Sequence, residues 1–207
     1  MTVRLNKKSL IRAVKYLEVR DRQLKSIVST FGLPPLRKRE ESFKTLIYII
    51  LEQQVSLASA KAAYEKLLEK AGSITSVNFL KLSDAELRSI GFSRQKTSYC
   101  RNLAEAIITG RLNLTELSDL NDAQAKEQLM NIKGIGSWTA DIYLLTALGR
   151  PDIWPNGDIA LASAVQKLKG AASRPSFKEL NKMSLKWKPW RAVAARILWH
   201  YYLSEGK

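Results

Sequence analysis

Apolar residues recur at intervals of three and four along nearly the whole chain, and no segment alternates strictly between apolar and polar positions. The first pattern is typical of helices that bury one face, whereas the second would indicate strands. The sequence therefore predicts an all-α protein of about ten helices. Their expected positions are residues 6–20, 21–31, 42–52, 56–70, 83–91, 93–110, from 121 or 122 to the turn at 133, 137–148, 159–169, 176–187 and 190–204, with Pro189 in the first turn of the last helix.

Polar residues that can cap helices mark several of these limits. Ser83-Asp84-Ala85-Glu86 has the form of a capping box, in which the first and fourth side chains each accept a backbone N–H from the other end. Ser56 is expected to cap the helix that follows it. Asn121 or Asp122 is expected to start the first helix of a hairpin.

The stretch from Leu129 to Leu161 carries the most informative arrangement of polar residues. Lys133-Gly134-Ile135-Gly136 separates two helices, and glycines one residue apart let the backbone turn tightly and approach a ligand closely. The N–H groups of such a turn, continuing into a helix N-terminus, converge on an anion, most simply a phosphate. A loop with two glycines and two prolines then brings Asp158 to the start of another helix. The stretch therefore predicts a phosphate-binding hairpin followed by a carboxylate in a stiff loop.

The net charge of the sequence indicates what kind of partner the protein binds. The 207 residues include 34 Lys and Arg against 19 Asp and Glu, for a formal charge of +15. Such an excess favours a polyanion such as nucleic acid, with a salt-dependent affinity. A generally basic, well-solvated surface is the alternative, and charge alone favours nucleic acid only modestly.

Cysteine and hydropathy exclude several classes of protein. Cys100 is the single cysteine of the sequence, which excludes an internal disulfide framework and a four-cysteine iron–sulfur cluster. The N-terminal residues lack the apolar core of a signal peptide, and no apolar run approaches about 18 residues. We therefore expect a cytoplasmic, nucleoid-associated protein that does not interact with membranes.

Four segments together resemble a known family. Ile132–Ala140 (IKGIGSWTA) and Pro151–Asp158 (PDIWPNGD) are similar to the helix-hairpin-helix, Gly/Pro-rich loop and aspartate of base-excision DNA glycosylases. Glu52–Ser56 (EQQVS) and Trp187–Arg191 (WKPWR) resemble the alkylbase branch, the 3-methyladenine DNA glycosylase II type. The resemblance covers roughly residues 40–203 and implies one domain over residues 1–207. It further implies two helical lobes flanking a cleft, formed by residues 43–145 and by residues 1–42 plus 146–207.

Asp158 is the candidate catalytic residue that the resemblance implies. Breaking an N-glycosidic bond builds positive charge on the sugar, as in glycoside hydrolysis. A nearby carboxylate stabilises that charge and can orient or deprotonate the attacking water. The structural alternative is a helix N-cap, and both roles can coexist. Asp152, in the same loop, matches a position outside the family's catalytic one.

Trp138, Trp199 and Tyr143 are the expected residues of the base pocket. Electron-rich rings suit an alkylated purine, which carries positive charge. In lyase-active relatives the position of Trp138 is a lysine that attacks the sugar, so Trp138 implies hydrolysis without strand cleavage. Packing between helices is the alternative role for Trp138. One family aromatic falls on Ile142, beside Tyr143, which leaves the width of the pocket open.

The hairpin residues Lys133, Gly134, Ile135 and Gly136 are expected to bind a DNA phosphate. In similar hairpins, the backbone carbonyls at the positions of Met130, Ile132 and Ile135 hold a structural K⁺ or Na⁺ that bridges to that phosphate. No other cofactor is expected. The alternative is an ordinary interhelical turn with no ligand.

Gln53, Gln54 and Val55 form the loop that relatives insert into the duplex. A glycosylase has to extrude its target base, because the bond is inaccessible inside the stack. By alignment Gln54 is the inserting residue, although wedges are usually apolar. A polar interhelical turn is the alternative.

Together these residues predict a monomeric, monofunctional DNA glycosylase that acts on damaged double-stranded DNA. The substrates that the resemblance suggests are 3-methyladenine and 7-methylguanine. Two alternatives stay open at this point: a bifunctional glycosylase with lyase activity, and a helix-hairpin-helix module that binds DNA without catalysis.

Overall fold

The computed structural model describes residues 4–205, and within them the chain forms twelve α-helices and no strand. The predicted all-α class is confirmed. No helix of these described residues is both long and apolar enough to cross a membrane. The helices are α1 (Lys7–Arg20), α2 (Arg22–Phe31), α3 (Phe43–Glu52), α4 (Leu57–Ala71), α5 (Ser76–Lys81), α6 (Asp84–Ser89), α7 (Arg94–Ile108), α8 (Asp122–Met130), α9 (Ser137–Thr146), α10 (Ile159–Lys169), α11 (Phe177–Ser184) and α12 (Arg191–Ser204), with 3₁₀ turns at Glu116–Ser118 and Leu185–Trp187.

The caps predicted from the sequence form as expected. The Ser56 hydroxyl accepts the Ser59 N–H at the start of α4. Ser83 and Glu86 make the reciprocal bonds of a capping box at the start of α6. The Asn121 side chain caps α8. Each bond satisfies an N–H that has no partner within its helix, which stabilises the helix by about 1 kcal/mol.

Some predicted details are wrong, among them the end of α7, which lies at Ile108 rather than at 110. The chain has a twelfth α-helix, α5, whose cap is Thr75, and six residues give too little periodicity to detect it. Helix α9 ends at Thr146 rather than at 148. Pro189 precedes the last helix, which begins at Arg191 with Trp190 as its cap residue.

One compact unit of the chain comprises Arg39–Leu148. Its centre is α3, which packs on α4, α7 and α9. Leu46, Ile47, Ile49 and Ile50 of α3 are all 0% exposed. Because α3 is apolar on every side except the partly exposed face of Lys44, Tyr48 and Glu52, its sequence makes it the core helix of this unit. Each such side chain stabilises the fold by about 1.5–3 kcal/mol through burial.

The other unit comprises residues 4–38 and 149–205 among those described. Helix α12 packs on α1, α2 and α10. Asp21 joins this unit internally: it caps α2 and also accepts the Trp187 indole N–H at 2.8 Å. The amide of Leu5 donates to the Gly149 carbonyl at 2.7 Å, which ties the two chain segments of this unit together.

Candidate functional site

The hairpin between α8 and α9 has the backbone geometry that phosphate binding requires. Gly134 has a φ of +99°, in the left-handed region, whereas Gly136 is extended with φ −86° and ψ 177°. Lys133 and Gly136 are exposed, so this surface is open to a ligand. The turn leads into the N-terminus of α9, where backbone N–H groups and the helix dipole favour an anion.

Gly134 also makes room for an aromatic ring. A Cβ built on Gly134 would lie 2.2 Å from Cγ of Tyr99, far inside van der Waals contact. Around Gly136, by contrast, no atom of the described residues other than its chain neighbours lies within 4 Å of such an atom. The fold therefore requires glycine at position 134, whereas the glycine at position 136 leaves open space on the surface of the hairpin.

Gln53 braces the hairpin from the loop between α3 and α4. Its Nε2 donates to the Gly134 carbonyl at 3.1 Å and to the Thr139 hydroxyl at 2.9 Å. Thr139 lies in the first turn of α9 and is 2% exposed. The sequence placed Gln53 in a loop that inserts into DNA, but its carboxamide is engaged with the hairpin.

The next two residues of this loop are exposed. Gln54 has a φ of +55°, which is rare for a residue with a side chain, and Val55 is 44% exposed. At the base of the loop, Lys96 Nζ donates to the Leu51 carbonyl at 2.6 Å. This bond satisfies a carbonyl near the C-terminal end of α3 and places a cation where the helix dipole favours one.

An ion pair between a partly exposed lysine and a buried carboxylate joins the two helices of the hairpin. Lys126 Nζ of α8 lies 2.6 Å from a carboxylate oxygen of Asp141 of α9, whose side chain is 2% exposed. Sequence analysis missed this pair. The available signal was the position of Asp141 inside an otherwise apolar helix, since a buried carboxylate needs a partner.

Asp158 caps a helix, which is the structural role considered for it, and its catalytic role stays a prediction. Its Oδ1 accepts the Leu161 N–H at 2.9 Å, so it caps α10. The same atom accepts the Trp199 indole N–H at 3.2 Å. Asp158 is 7% exposed, and these two donors fix its orientation in a poorly solvated position. Two residues predicted for one site, Asp158 and Trp199, are therefore in direct contact.

The other expected pocket aromatics lie in different surroundings. Trp138 is the second residue of α9 and is partly buried. Tyr143 is 0% exposed, and among residues 4–205 its buried hydroxyl has no hydrogen-bond partner. Burial, and to a lesser extent the charge of Glu41, raises the pKa of the Tyr143 hydroxyl well above its ordinary value. Tyr143 is thus a core residue of α9.

Asp152 is engaged in an ion pair. Both of its carboxylate oxygens bind the Arg191 guanidinium, each at 2.9 Å. Arg191 is the first residue of α12, so the pair fixes the Gly/Pro-rich loop to the start of that helix. This arrangement gives Asp152 a structural role.

The backbone carbonyls of Met130, Ile132 and Ile135, which are expected to hold a monovalent cation, are chemically suited to that ion. Neutral backbone oxygens are suitable ligands for K⁺. The Ile132 carbonyl accepts the Ile135 N–H at 3.0 Å and retains a second lone pair. The neighbouring Gly134 carbonyl accepts from Gln53, so the expected set remains Met130, Ile132 and Ile135. No cluster of three or more His, Cys, Asp and Glu side chains that could hold a metal ion occurs within residues 4–205.

Comparison with known proteins assigns this arrangement to a family. A model of the family described as "HhH-GPD superfamily base excision DNA repair protein" matches residues 47–190. The matched segment includes the α3–α4 loop, the hairpin and Asp158.

Individual relatives agree with this match. The chain is 27% identical over 180 residues to a DNA-3-methyladenine glycosylase of Bacillus subtilis, covering 81% of this chain and 57% of the relative, so it spans little more than half of that protein. A crystal structure of a DNA-3-methyladenine glycosidase from Bacillus halodurans matches with a TM-score of 0.78 and 31% identity, covering 94% of this chain and 90% of that one. The Schizosaccharomyces pombe 3-methyladenine DNA glycosylase in complex with abasic DNA matches with a TM-score of 0.84 and 28% identity, covering 91% of this chain and 95% of that one.

Proposed function

The chain belongs to the HhH-GPD superfamily of base excision DNA repair proteins, and from this premise we propose that it is a monofunctional DNA glycosylase. Its substrates are alkylated purines of the 3-methyladenine and 7-methylguanine type in duplex DNA, and its product is an abasic site. The contact between Asp158 and Trp199 is the observation that supports this proposal most strongly. It joins a buried carboxylate to an electron-rich ring, the two groups that such a reaction needs.

Asp158 stabilises the sugar as the bond to the base breaks. Electrons of the N-glycosidic bond leave with the base, and positive charge develops on the deoxyribose. A fixed carboxylate in a poorly solvated place interacts with that charge more strongly than it would in water. Because Leu161 and Trp199 already orient the carboxylate, little reorganisation is needed at the moment of reaction. Asp158 is also placed to orient or deprotonate the water that completes hydrolysis.

The tryptophans select and hold the base. An alkylated purine carries positive charge, so it is attracted to the face of an indole and leaves readily once flipped. We assign this role to Trp199 and Trp138. Because position 138 lacks an amine, the same residue argues for hydrolysis without strand cleavage. The full burial of Tyr143 removes it from the set of residues that we expect to touch the base.

The hairpin and the α3–α4 loop hold the duplex. Backbone N–H groups around Gly136 bind a phosphate, and a K⁺ or Na⁺ on the carbonyls of Met130, Ile132 and Ile135 would add positive charge there. Gln54 and Val55, both exposed, fill the gap that the flipped nucleotide leaves. Gln53 supports them from below through Gly134 and Thr139. The protein is expected to work as a monomer on damaged double-stranded DNA.

Incubation with methylated DNA tests this function. Chromatography of the soluble products should detect free 3-methyladenine and 7-methylguanine, while the strands stay intact until alkali cleaves the abasic sites. Borohydride should trap no covalent adduct with DNA. Strand cleavage with a trapped adduct would identify a lyase instead, and duplex binding without any base release would identify a non-catalytic binding module.

A further inference from the structure

A groove between α6 and α7 has features of an anion-binding site outside the hairpin. It encloses about 490 Å³ and lies entirely within the unit formed by Arg39–Leu148. Arg88, Arg94, Thr97 and Arg101 line it, along with further polar residues. Three guanidiniums around one concavity are an unusual concentration of positive charge, and planar guanidiniums bind phosphate oxygens well.

Two of these arginines have side chains that no other described residue binds. Arg88 and Arg94 are exposed, and within residues 4–205 neither side chain makes a hydrogen bond or an ion pair. Arg101, by contrast, is held by Asp84 at 2.6 Å and by the Leu82 carbonyl at 2.7 Å. The groove therefore contains one positioned guanidinium and two that are available to a ligand.

A hydroxyl completes the site. Thr97 is 5% exposed, it lines the groove, and its side chain makes no hydrogen bond within the described part of the chain. Its hydroxyl oxygen is not fully enclosed by protein, so water or a ligand in the groove can bond to it. The first backbone N–H groups of α7 also lie at this groove. The Ser93 side chain accepts only the N–H of Lys96, so it leaves the other N–H groups of the first turn without a cap. Asp84 and Glu105 also line the groove, so the favourable end for an anion is that of Arg88 and Arg94.

We propose that this groove binds a backbone phosphate of the DNA duplex, as a second contact separate from the hairpin. The position of α7 supports this assignment, because other side chains of this helix contact the hairpin and the base of the α3–α4 loop, the two elements proposed to bind DNA. Tyr99 packs on Gly134, and Lys96 holds the Leu51 carbonyl beneath the α3–α4 loop. Arg94 and Thr97 lie on the same helix within one turn of Lys96. The inference rests on the proposed function, since it takes the ligand to be DNA.

Duplex titrations with matched variants test the groove. Binding of a fluorescent duplex with a tetrahydrofuran abasic-site analogue is measured by anisotropy over a range of KCl concentrations. Arg88→Gln and Arg94→Gln should each weaken binding about tenfold and reduce the salt slope by about 1, because each removes a phosphate contact. Thr97→Val should weaken binding about threefold with an unchanged slope, because it removes a hydrogen bond but no charge.

Arg111→Gln is the control, because it removes the same charge beyond the other end of α7, whose 15 residues span about 22 Å. Affinities and salt slopes of the Arg88 and Arg94 variants equal to those of Arg111→Gln would overturn the proposal. A second arm compares melting temperatures in phosphate and in chloride at equal ionic strength. Stabilisation by phosphate that Arg94→Gln abolishes, with unchanged duplex binding, would assign the groove to a free phosphate and overturn the DNA assignment.

These outcomes stay distinct from failure of the proposed function. If the wild-type protein releases no base from methylated DNA, the glycosylase assignment fails, but the duplex titrations still decide what the groove binds. If it does release base, Arg88→Gln and Arg94→Gln should slow release at limiting protein, because they weaken duplex binding, whereas Arg111→Gln should keep the wild-type rate.

Discussion

Gly134 and Gly136 meet different constraints although they are one residue apart. At Gly134 both the positive φ and the Tyr99 ring exclude a side chain. At Gly136 the backbone is extended, and beyond the chain neighbours no atom of residues 4–205 lies within 4 Å of an added Cβ. A side chain there would meet only what approaches from outside, which in the proposed function is the DNA backbone.

The two glycines therefore predict opposite results for the same substitution. Gly134→Ala should destabilise the protein by about 2 kcal/mol or more, through backbone strain and overlap with Tyr99. The free energy of unfolding of Gly136→Ala should lie within about 0.5 kcal/mol of the wild-type value, but this variant should bind duplex DNA about tenfold more weakly. Urea unfolding and fluorescence anisotropy measure the two effects. Wild-type DNA affinity of Gly136→Ala would show that no phosphate approaches this backbone.

At the scale of elements, helix limits were predictable at several polar caps, as at Ser56 and Asn121, but the cap at Thr75 did not reveal the short helix α5. Contacts between elements were not predictable, because they depend on residues far apart in sequence. Gln53 is 81 and 86 positions from its two partners, and no local pattern indicates that bond. The same distinction between local patterns and distant contacts applies to the candidate catalytic residue. Asp158 could be singled out by its motif, whereas its hydrogen bond with Trp199, 41 positions away, needed the fold.

The brace between the α3–α4 loop and the hairpin can be tested at Thr139. Thr139→Ser keeps the hydroxyl that accepts from Gln53, whereas Thr139→Val removes it and leaves the partly buried carboxamide with one acceptor fewer. We expect Thr139→Val to lose about 1–3 kcal/mol of stability and Thr139→Ser to lose less. If the brace aligns the loop with the hairpin, Thr139→Val should also reduce flipping, read from the fluorescence of a 2-aminopurine opposite the lesion at saturating protein. Equal flipping in both variants would limit Gln53 to a structural role.

Asp21 predicts a pH dependence for the other unit. Burial by itself raises the pKa of this carboxyl, but hydrogen bonds from Lys186, Trp187 and the Leu24 N–H outweigh it and lower the pKa below its ordinary value of 3.8. Because the folded pKa is the lower one, the stabilisation is present above pH 3.8 and is lost as the pH falls through the folded pKa. Urea unfolding between pH 2 and pH 6 should show this loss, and Asp21→Asn should flatten it while lowering stability near neutrality. The same acid slope in Asp21→Asn would assign it to other carboxyls.

At the scale of the whole molecule, the sequence could predict the all-α class and the basic character of the chain, because periodicity and net charge are properties of composition and order. Exposure of a particular side chain depends on packing and could not be predicted, as Tyr143 and Cys100 illustrate. Cys100 is 0% exposed in the Arg39–Leu148 unit, and burial raises the pKa of its thiol far above the ordinary value.

Cys100 should therefore report unfolding. A thiol that is both inaccessible and protonated does not react, so an aromatic disulfide reagent should modify the native protein only at the rate at which this unit opens. Urea should accelerate labelling in parallel with unfolding. Rapid and complete modification in native buffer would contradict the packing of α7 described above.

The proposed catalysis depends on the carboxylate of Asp158, and its most direct test is single-turnover release of 3-methyladenine by Asp158→Asn beside the wild type. Asparagine keeps an oxygen that can accept from Leu161 and Trp199, so the cap of α10 remains while the charge is removed. We predict an unchanged melting temperature and a rate at least about a hundredfold lower. Equal rates for a variant that folds and binds duplex as the wild type does would contradict electrostatic catalysis by Asp158 and leave this residue as a helix cap.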